Sequence, residues 1–423
     1  MKKRSLVIYN ATEVVTCSGF KGKAGAQMQD LKVVPNASVI VEDGIITKIT
    51  SDALNLDEYA SKGFKIIDAT NKCVLPGFVD SHTHFVFGGY REEEYNWRLN
   101  GVAYMEIMAK GGGIINSVNA TKLTSKEDLI QVGIKRLNSM TGFGVTTVEG
   151  KSGYGLDLDT EIKQLEVMKE LNKLHSLDII TTFLGPHARP AAYKEDPDAF
   201  IEFMIEKVLP IVDERGLAEF VDIFCEANIF SIEQSRRFLN AAKKLGFKIK
   251  IHADEIVQLG GAELAAELGA ISADHLLQAS DKGIEAMKLA GVVATLLPNT
   301  AFSLKEHYAR ARFMIDSNLV VALSTDFNPG SCFSESIPLL IALATNQMGM
   351  TIEETITALT INGAAALDRA DQIGSIDIGK KADLVIHEFP TYKFLPYHIA
   401  VSTVEKVIKN GVLILDKENH LPL

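Results

Sequence analysis

Pro76-Gly77-Phe78-Val79-Asp80-Ser81-His82-Thr83-His84 is the stretch on which the fold turns. It continues an apolar run that begins at Val74 and stops at an acid and two histidines. A short apolar run of this kind reads as a buried strand. Side chains two apart on a strand share one side, so His82 and His84 project two imidazoles the same way. Taken alone, such a pair can equally be two hydrogen-bonded core histidines. The other strand ends bear on that choice. His252 closes Phe247-Lys248-Ile249-Lys250-Ile251, His275 closes Ile271-Ser272-Ala273-Asp274, and Asp326 closes a run from Leu319 to Thr325. His187 lies just past another strand. Imidazoles and a carboxylate with one position left for water suit zinc or a related metal. Unrelated buried polar residues would each need a separate partner in an apolar setting.

Outward from this segment, candidate strands end near His84, Glu149, Leu184, Cys225, His252, His275, Leu297 and Asp326. Helical patterns lie between most of them, including Asp157 to Leu174, Ser231 to Leu245 and Gln258 to Leu268. Alternating strands and helices imply parallel βαβ units, and eight of them favour a closed barrel over an open sheet. Barrel enzymes build their sites at the C-terminal strand ends, where these histidines fall. The two chain ends read differently. Ser38 to Val41 and Ile45 to Ile49 flank Glu42-Asp43-Gly44, and Val404 to Ile408 and Val412 to Leu415 flank Asn410-Gly411. Both are hairpin signals. Ala382 to Ile386 is a further strand. The expected fold is therefore α/β: a (β/α)8 barrel over 76–374, plus a small β-sandwich domain from 1–75 and 375–423.

The chain has 423 residues, 47% of them hydrophobic and 23% charged, with a formal net charge of −11. That length suits a large barrel with an accessory domain. The acidic balance argues against nucleic acid as a partner, since a phosphate backbone needs a basic face. A local arginine can still hold an anionic small molecule. Cys17, Cys73, Cys225 and Cys332 form no CxxC pair and read as free thiols in a reducing compartment. The basic start Met1-Lys2-Lys3-Arg4 is followed by an apolar stretch broken at Asn10, Thr12 and Glu13, so it is not read as a signal peptide. No run approaches the ~20 apolar residues of a membrane helix. A cytoplasmic protein is expected, and the sequons at Asn10, Asn36 and Asn119 are then chance. Gly111-Gly112-Gly113 lacks the Gly-Lys-Ser/Thr ending of a phosphate loop and reads as a mobile loop that could cover the site. Glu255, three residues past His252, sits where a carboxylate could act on a metal-bound water. Alone it could as well be a solvated helix-start glutamate.

Pro76 to His84 resembles the opening signature of the amidohydrolase superfamily. Asn362-Gly363-Ala364-Ala365-Ala366-Leu367 and Gly374-Ser375-Ile376-Asp377-Ile378-Gly379-Lys380-Lys381-Ala382-Asp383-Leu384-Val385 resemble its closing signature. The resemblance spans nearly the whole chain. It narrows at Phe85 to Arg91, Lys110 to Ile114, Lys151-Ser152-Gly153-Tyr154-Gly155-Leu156 and Ser324 to Ser331, which are similar to members that act in histidine degradation.

That resemblance implies hydrolysis of 4-imidazolone-5-propanoate to N-formimidoyl-L-glutamate, by attack of a metal-bound hydroxide on a cyclic amide. It implies His82, His84, His252 and Asp326 as ligands of one zinc or iron ion per subunit. Many superfamily members bridge two metals with a carboxylated lysine at the end of strand four. Here that strand ends Phe224-Cys225-Glu226, so a single metal is expected, and Lys151 is read as structural. Glu255, His275 and Asp326 are the implied catalytic residues, for proton transfer and oxyanion stabilisation. Arg91, Tyr154, His187 and Glu255 would hold the substrate, with Asn328, Gly330 and Ser331 in a loop touching substrate or product. Arg91 could instead be a surface ion pair with Glu92, Glu93 or Glu94. Cys332 is read as packing. A homodimer is expected because two-fold dimers are the commonest assembly. Two rivals remain: a nucleobase deaminase of the same superfamily, and a catalytically silent barrel serving as a structural protein.

Overall fold

Apolar strands in this chain are buried on both faces, and their neighbours in sequence are amphipathic helices. In the computed structural model, which describes residues 4–102, 106 and 112–418, these pieces assemble around one large core. The parallel strands are Phe78–Asp80, Val145–Lys151, Asp178–Phe183, Phe220–Val221 with Phe224–Cys225, Lys248–Ala253, Ser272–His275, Val293–Leu296 and Val321–Leu323. Each pairs with the next in parallel register. Closure comes from the residues just past the first and last strands. Thr83 bridges Phe327 in parallel, His84 N donates to Phe327 O at 2.9 Å, and Asp326 N donates to His82 O at 3.0 Å. Asp80 staples the same seam: its carboxylate accepts from Ser324 Oγ, from Thr325 N at 3.0 Å and from Thr325 Oγ1 at 2.7 Å. The segments carrying His82, His84 and Asp326 therefore run on past the regular strands, since the first strand ends at Asp80 and the eighth at Leu323.

Helix limits follow local capping. Leu158–Leu174 starts after Asp157, whose side chain accepts from Thr160 N, and Ile232–Lys244 starts at a Ser231/Gln234 capping box. The helix expected from Gln258 begins later, at Gly261–Leu268. The cause is Asp254, whose carboxylate collects the amides of Leu259, Gly260, Gly261 and Ala262 at 2.8–3.1 Å. These residues form an anion-binding turn around Asp254 instead of a first helical turn.

The chain ends build a separate eight-stranded sheet. It is one continuous sheet wrapped over its own core. Strands from both edges, through Ile46 and Leu413, pack into one cluster with Ile8, Val74 and Leu384. Both expected hairpins form, with Asp43, Gly44, Asn410 and Gly411 all at positive φ, the conformation of a two-residue primed turn. The closing signature ties this sheet to the barrel. Asn362 accepts from Lys23 N and donates to Lys23 O and Val321 O, and Lys380 Nζ donates to Gly19 O, Ala370 O, Ile373 O and Ser375 Oγ. Among the described residues no helix is long and apolar enough to cross a membrane. Lys110 and Gly111 lie outside the described residues. Gly113, at φ 83°, donates its amide to Glu94 at 2.9 Å.

Candidate metal centre and active site

At the C-terminal mouth of the barrel the expected histidines converge. The rings of His82 and His84 lie 5.3 Å apart, those of His82 and His252 4.6 Å, and those of His252 and His275 5.1 Å. Asp326 Oδ1 is 3.6 Å from Nε2 of both His82 and His84. Two overlapping sets, His82/His84/Asp326 and His82/His252/His275, bring their ligand atoms within 4.8 Å of one another. His275 thus stands inside ligand range, a closeness the sequence did not reveal. Several of the strand-end residues are in the left-handed region, Asp254 at φ 49°, His275 at 75° and Asp326 at 50°. Such strain persists only where surroundings enforce it, as at functional sites.

The donors fit a metal. His82 Nε2 and His252 Nε2 are buried without a hydrogen-bond partner. Leaving such atoms unpaired is costly unless something else binds them. Burial, reinforced by Lys151 and by neighbouring rings, pushes the His82, His84 and His252 pKa values well below the ordinary range, which keeps the imidazoles neutral, the form able to bind a metal. Burial raises Asp326 to about 7, against the lowering effect of Thr300 and Asn328, and raises Glu255 to about 8 with help from the Asp326 charge. A cation among these groups would pull both carboxyls back down.

Around this centre lies a cavity of about 300 Å³ that brings together Arg91, Tyr154, His187, Glu255, His275, Asp326, Asn328, Gly330 and Ser331. Every expected substrate-contact residue lines it. His187 stacks on His84, with centroids 5.1 Å apart and planes 11° off parallel, and its Nδ1 is 3.1 Å from Gly153 O. Glu255 Oε1 lies 3.4 Å from His275 Nδ1. Arg91 does pair with Glu94, at 2.8 Å, yet it also faces the cavity, because Glu94 is itself buried and held by Gly113 N and Asn116 Nδ2. Asn328 shapes its own loop. Its side-chain oxygen accepts from the amides of Gly330, Ser331 and Cys332, and its nitrogen donates to Asp326 O. Cys332 is buried, with its thiol 3.5 Å from Thr325 O.

The sequence reading missed several residues. Arg98 lines the cavity beside Arg91. Its contacts are Ser303 Oγ at 3.4 Å and the Tyr95 ring at 5.2 Å. Its place seven residues after Arg91, two turns along one helix face, was the available signal. Beneath the histidines, Glu149, Lys151, Asp222, Lys250 and Asp274 are all fully buried. Asp274 directly precedes His275 and Asp222 stands three residues before Cys225, both strand-end markers, but only the folded barrel turns their side chains inward.

The fold and the site define a metal-dependent hydrolase, and the chain belongs to the amidohydrolase family, whose sequence pattern matches residues 73–414. Within that family it stands with the imidazolonepropionases. It is 62% identical to the imidazolonepropionase of Clostridium tetani over 99% of this chain and 100% of that one. It is 54% identical to that of Parabacteroides distasonis, over 98% and 100%. Among solved structures, a triazine hydrolase variant superposes with a TM-score of 0.73 at 15% identity, covering 98% of this chain and 96% of that one. An adenosine deaminase from Xanthomonas campestris with bound zinc gives 0.69 at 20% identity, covering 99% and 94%. These two share the fold.

Proposed function

We propose that the protein hydrolyses 4-imidazolone-5-propanoate to N-formimidoyl-L-glutamate, a step of histidine degradation, using one zinc or iron ion per subunit. The observation that carries this reading is the meeting of His82, His84, His252 and Asp326 with an arginine-bearing cavity at one barrel mouth. Kinship with the imidazolonepropionases supports the substrate. Those four residues would hold the ion. Bound there, it would act as a Lewis acid and make water nucleophilic near neutral pH.

The chain's own groups supply the rest. Glu255 takes the proton shed by the attacking water and delivers it to the ring nitrogen. The water oxygen joins the carbonyl carbon, the carbon–nitrogen bond breaks, and a new carboxylate is freed. His275 stabilises negative charge on the carbonyl oxygen as it builds. Asp326, hydrogen-bonded by Thr300 Oγ1 at 2.6 Å, is a second proton acceptor. Arg91 presents a planar fork to the propionate and is kept in place by Glu94. Tyr154 and His187 flank the ring, and the Asn328, Gly330 and Ser331 loop forms the opposite wall.

The two-part division, 1–75 with 375–423 against 76–374, belongs to the same proposal, as do a cytoplasmic location and a homodimer. No nucleic acid or membrane partner is proposed. The test is turnover of freshly generated 4-imidazolone-5-propanoate, followed by loss of ring absorbance and appearance of N-formimidoyl-L-glutamate. Turnover that vanishes on chelation and returns with added metal supports the reading. Metal-loaded protein that leaves this compound intact refutes the substrate, and ammonia release from a nucleobase would point to a deaminase.

A further inference from the structure

Beneath the mouth of the barrel lies a closed layer of charge that the proposed reaction does not use. Lys151 Nζ is 2.8 Å from Asp222 Oδ2, 3.1 Å from Glu149 Oε1 and 3.4 Å from Asp274 Oδ2. Lys250 Nζ is 2.7 Å from Glu149 Oε2 and donates to Ser81 O at 3.0 Å. All five side chains have no solvent-accessible surface. Three carboxylates face two ammonium groups, so the layer holds one carboxylate more than it has ammonium partners. Charges this deep survive only when paired and hydrogen-bonded.

The carboxylate oxygens that face Lys151 also face the imidazoles. Asp274 Oδ2 is 2.6 Å from His82 Nδ1, and Asp222 Oδ2 is 2.9 Å from His252 Nδ1. The first contact is an aligned hydrogen bond. The second is close but lacks that alignment, since His252 Nδ1 has no hydrogen-bond partner. Both contacts leave Nε2 as the free nitrogen of the ring. Lys250 cannot take the same part, because it is 3.8 Å from Asp274 and its short contacts go to Glu149 and Ser81. His84 is held differently. Its Nδ1 has no partner, and its ring is fixed by the stack on His187.

We propose that Lys151 is a positioning residue for the metal centre: one ammonium clamps Asp222 and Asp274, and through them locks the rings of His252 and His82 with Nε2 turned to the ion. The clamp does for two ligands at once what outer carboxylates do singly at other metal sites. It also assigns a task to a lysine whose strand is the second of the barrel, far in sequence from every ligand. The inference rests on the metal ligands proposed above, and its test avoids the imidazolone substrate altogether.

The experiment measures zinc affinity by competition with a chromogenic chelator, and the visible absorption of the Co(II)-loaded protein. The proteins are wild type, Lys151→Met, Asp274→Asn and the double variant. The double variant keeps the wild-type net charge of the layer, so it supplies the comparison if Lys151→Met fails to fold. Each single variant is expected to bind zinc about 10- to 100-fold more weakly, with a shifted Co(II) band. The double variant should melt nearer to wild type than Lys151→Met while binding zinc more weakly than Asp274→Asn alone, by up to ~10-fold, because Asp222 has lost its clamp. Wild-type affinity and an unchanged Co(II) band in Lys151→Met, or a double variant indistinguishable from Asp274→Asn in both readouts, would overturn the proposal, reducing Lys151 to charge balance. A wild-type protein that retains no metal refutes the ligand assignment itself, a separately readable result.

Discussion

Glu255→Gln isolates proton transfer from every other task of the site. The carboxylate is in none of the candidate ligand sets, its side chain is 17% exposed, and its Oε1 lies 3.4 Å from His275 Nδ1. Glutamine keeps the shape and cannot carry the proton. Loss of a positioned general base costs about 10²- to 10⁴-fold in kcat, or ~3–5 kcal/mol of barrel-mouth catalysis at about 1.4 kcal/mol per decade. Stability should move the other way. In metal-free protein, burial and then Asp326 lift the Glu255 pKa from 4.5 to about 8. A raised folded-state value means that stability is complete below the unfolded value and is lost as pH rises through the folded one. At ~1.4 kcal/mol per pKa unit, that loss is a few kcal/mol between about pH 4.5 and 8. The glutamine variant lacks it. Steady-state kinetics, metal analysis and metal-free melting at pH 5 and 8 test the set. Full metal content with kcat within about tenfold of wild type would remove Glu255 from proton transfer. A metal-free variant melting well below wild type at pH 8 would show that the carboxylate is structural.

Gly330→Ala should weaken substrate binding without touching the metal, because a Cβ there would come 1.9 Å from Arg91 Nη1 and displace the guanidinium. The check is KM against metal content, and an unchanged KM would place the propionate elsewhere. Arg98→Met is expected to raise KM by ~10- to 100-fold with kcat nearly unchanged, the scale of one charged hydrogen bond. An analogue whose propionate is amidated should lose that difference between the two proteins. Asp254→Ala leaves four amides without their acceptor. It should cost about 2 kcal/mol or more in denaturant unfolding, the upper range of a lost helix cap. A stability loss too small to measure would mean that water replaces the carboxylate.

Much of this molecule is written in local sequence. The apolar runs ending in His84, His252, His275 and Asp326 announce strands and place their polar ends together, because strand periodicity and the barrel's C-terminal mouth leave few alternatives. The hairpins at Asp43-Gly44 and Asn410-Gly411 are legible because only a few residues accept positive φ. Helix starts at Asp157 and Ser231 could be read from capping chemistry, which acts over three residues. Where capping was overridden, at Asp254, the competing hydrogen bonds came from one side chain folding back over its own loop. Barrel closure, by contrast, depends on Thr83 meeting Phe327 and on Asp80 gripping Ser324 and Thr325. Those partners are separated by more than two hundred residues, and no local pattern encodes such a distance. The same holds for the buried charge. A lysine in a strand reads as exposed by default, since burying an unpaired ammonium is prohibitive. Only the tertiary structure shows that Lys151 meets Glu149, Asp222 and Asp274 in one closed space. The candidate ligands stand at strand ends and could be listed along the chain; the orientation of their rings is a property of what packs behind them, and the fold alone decides it.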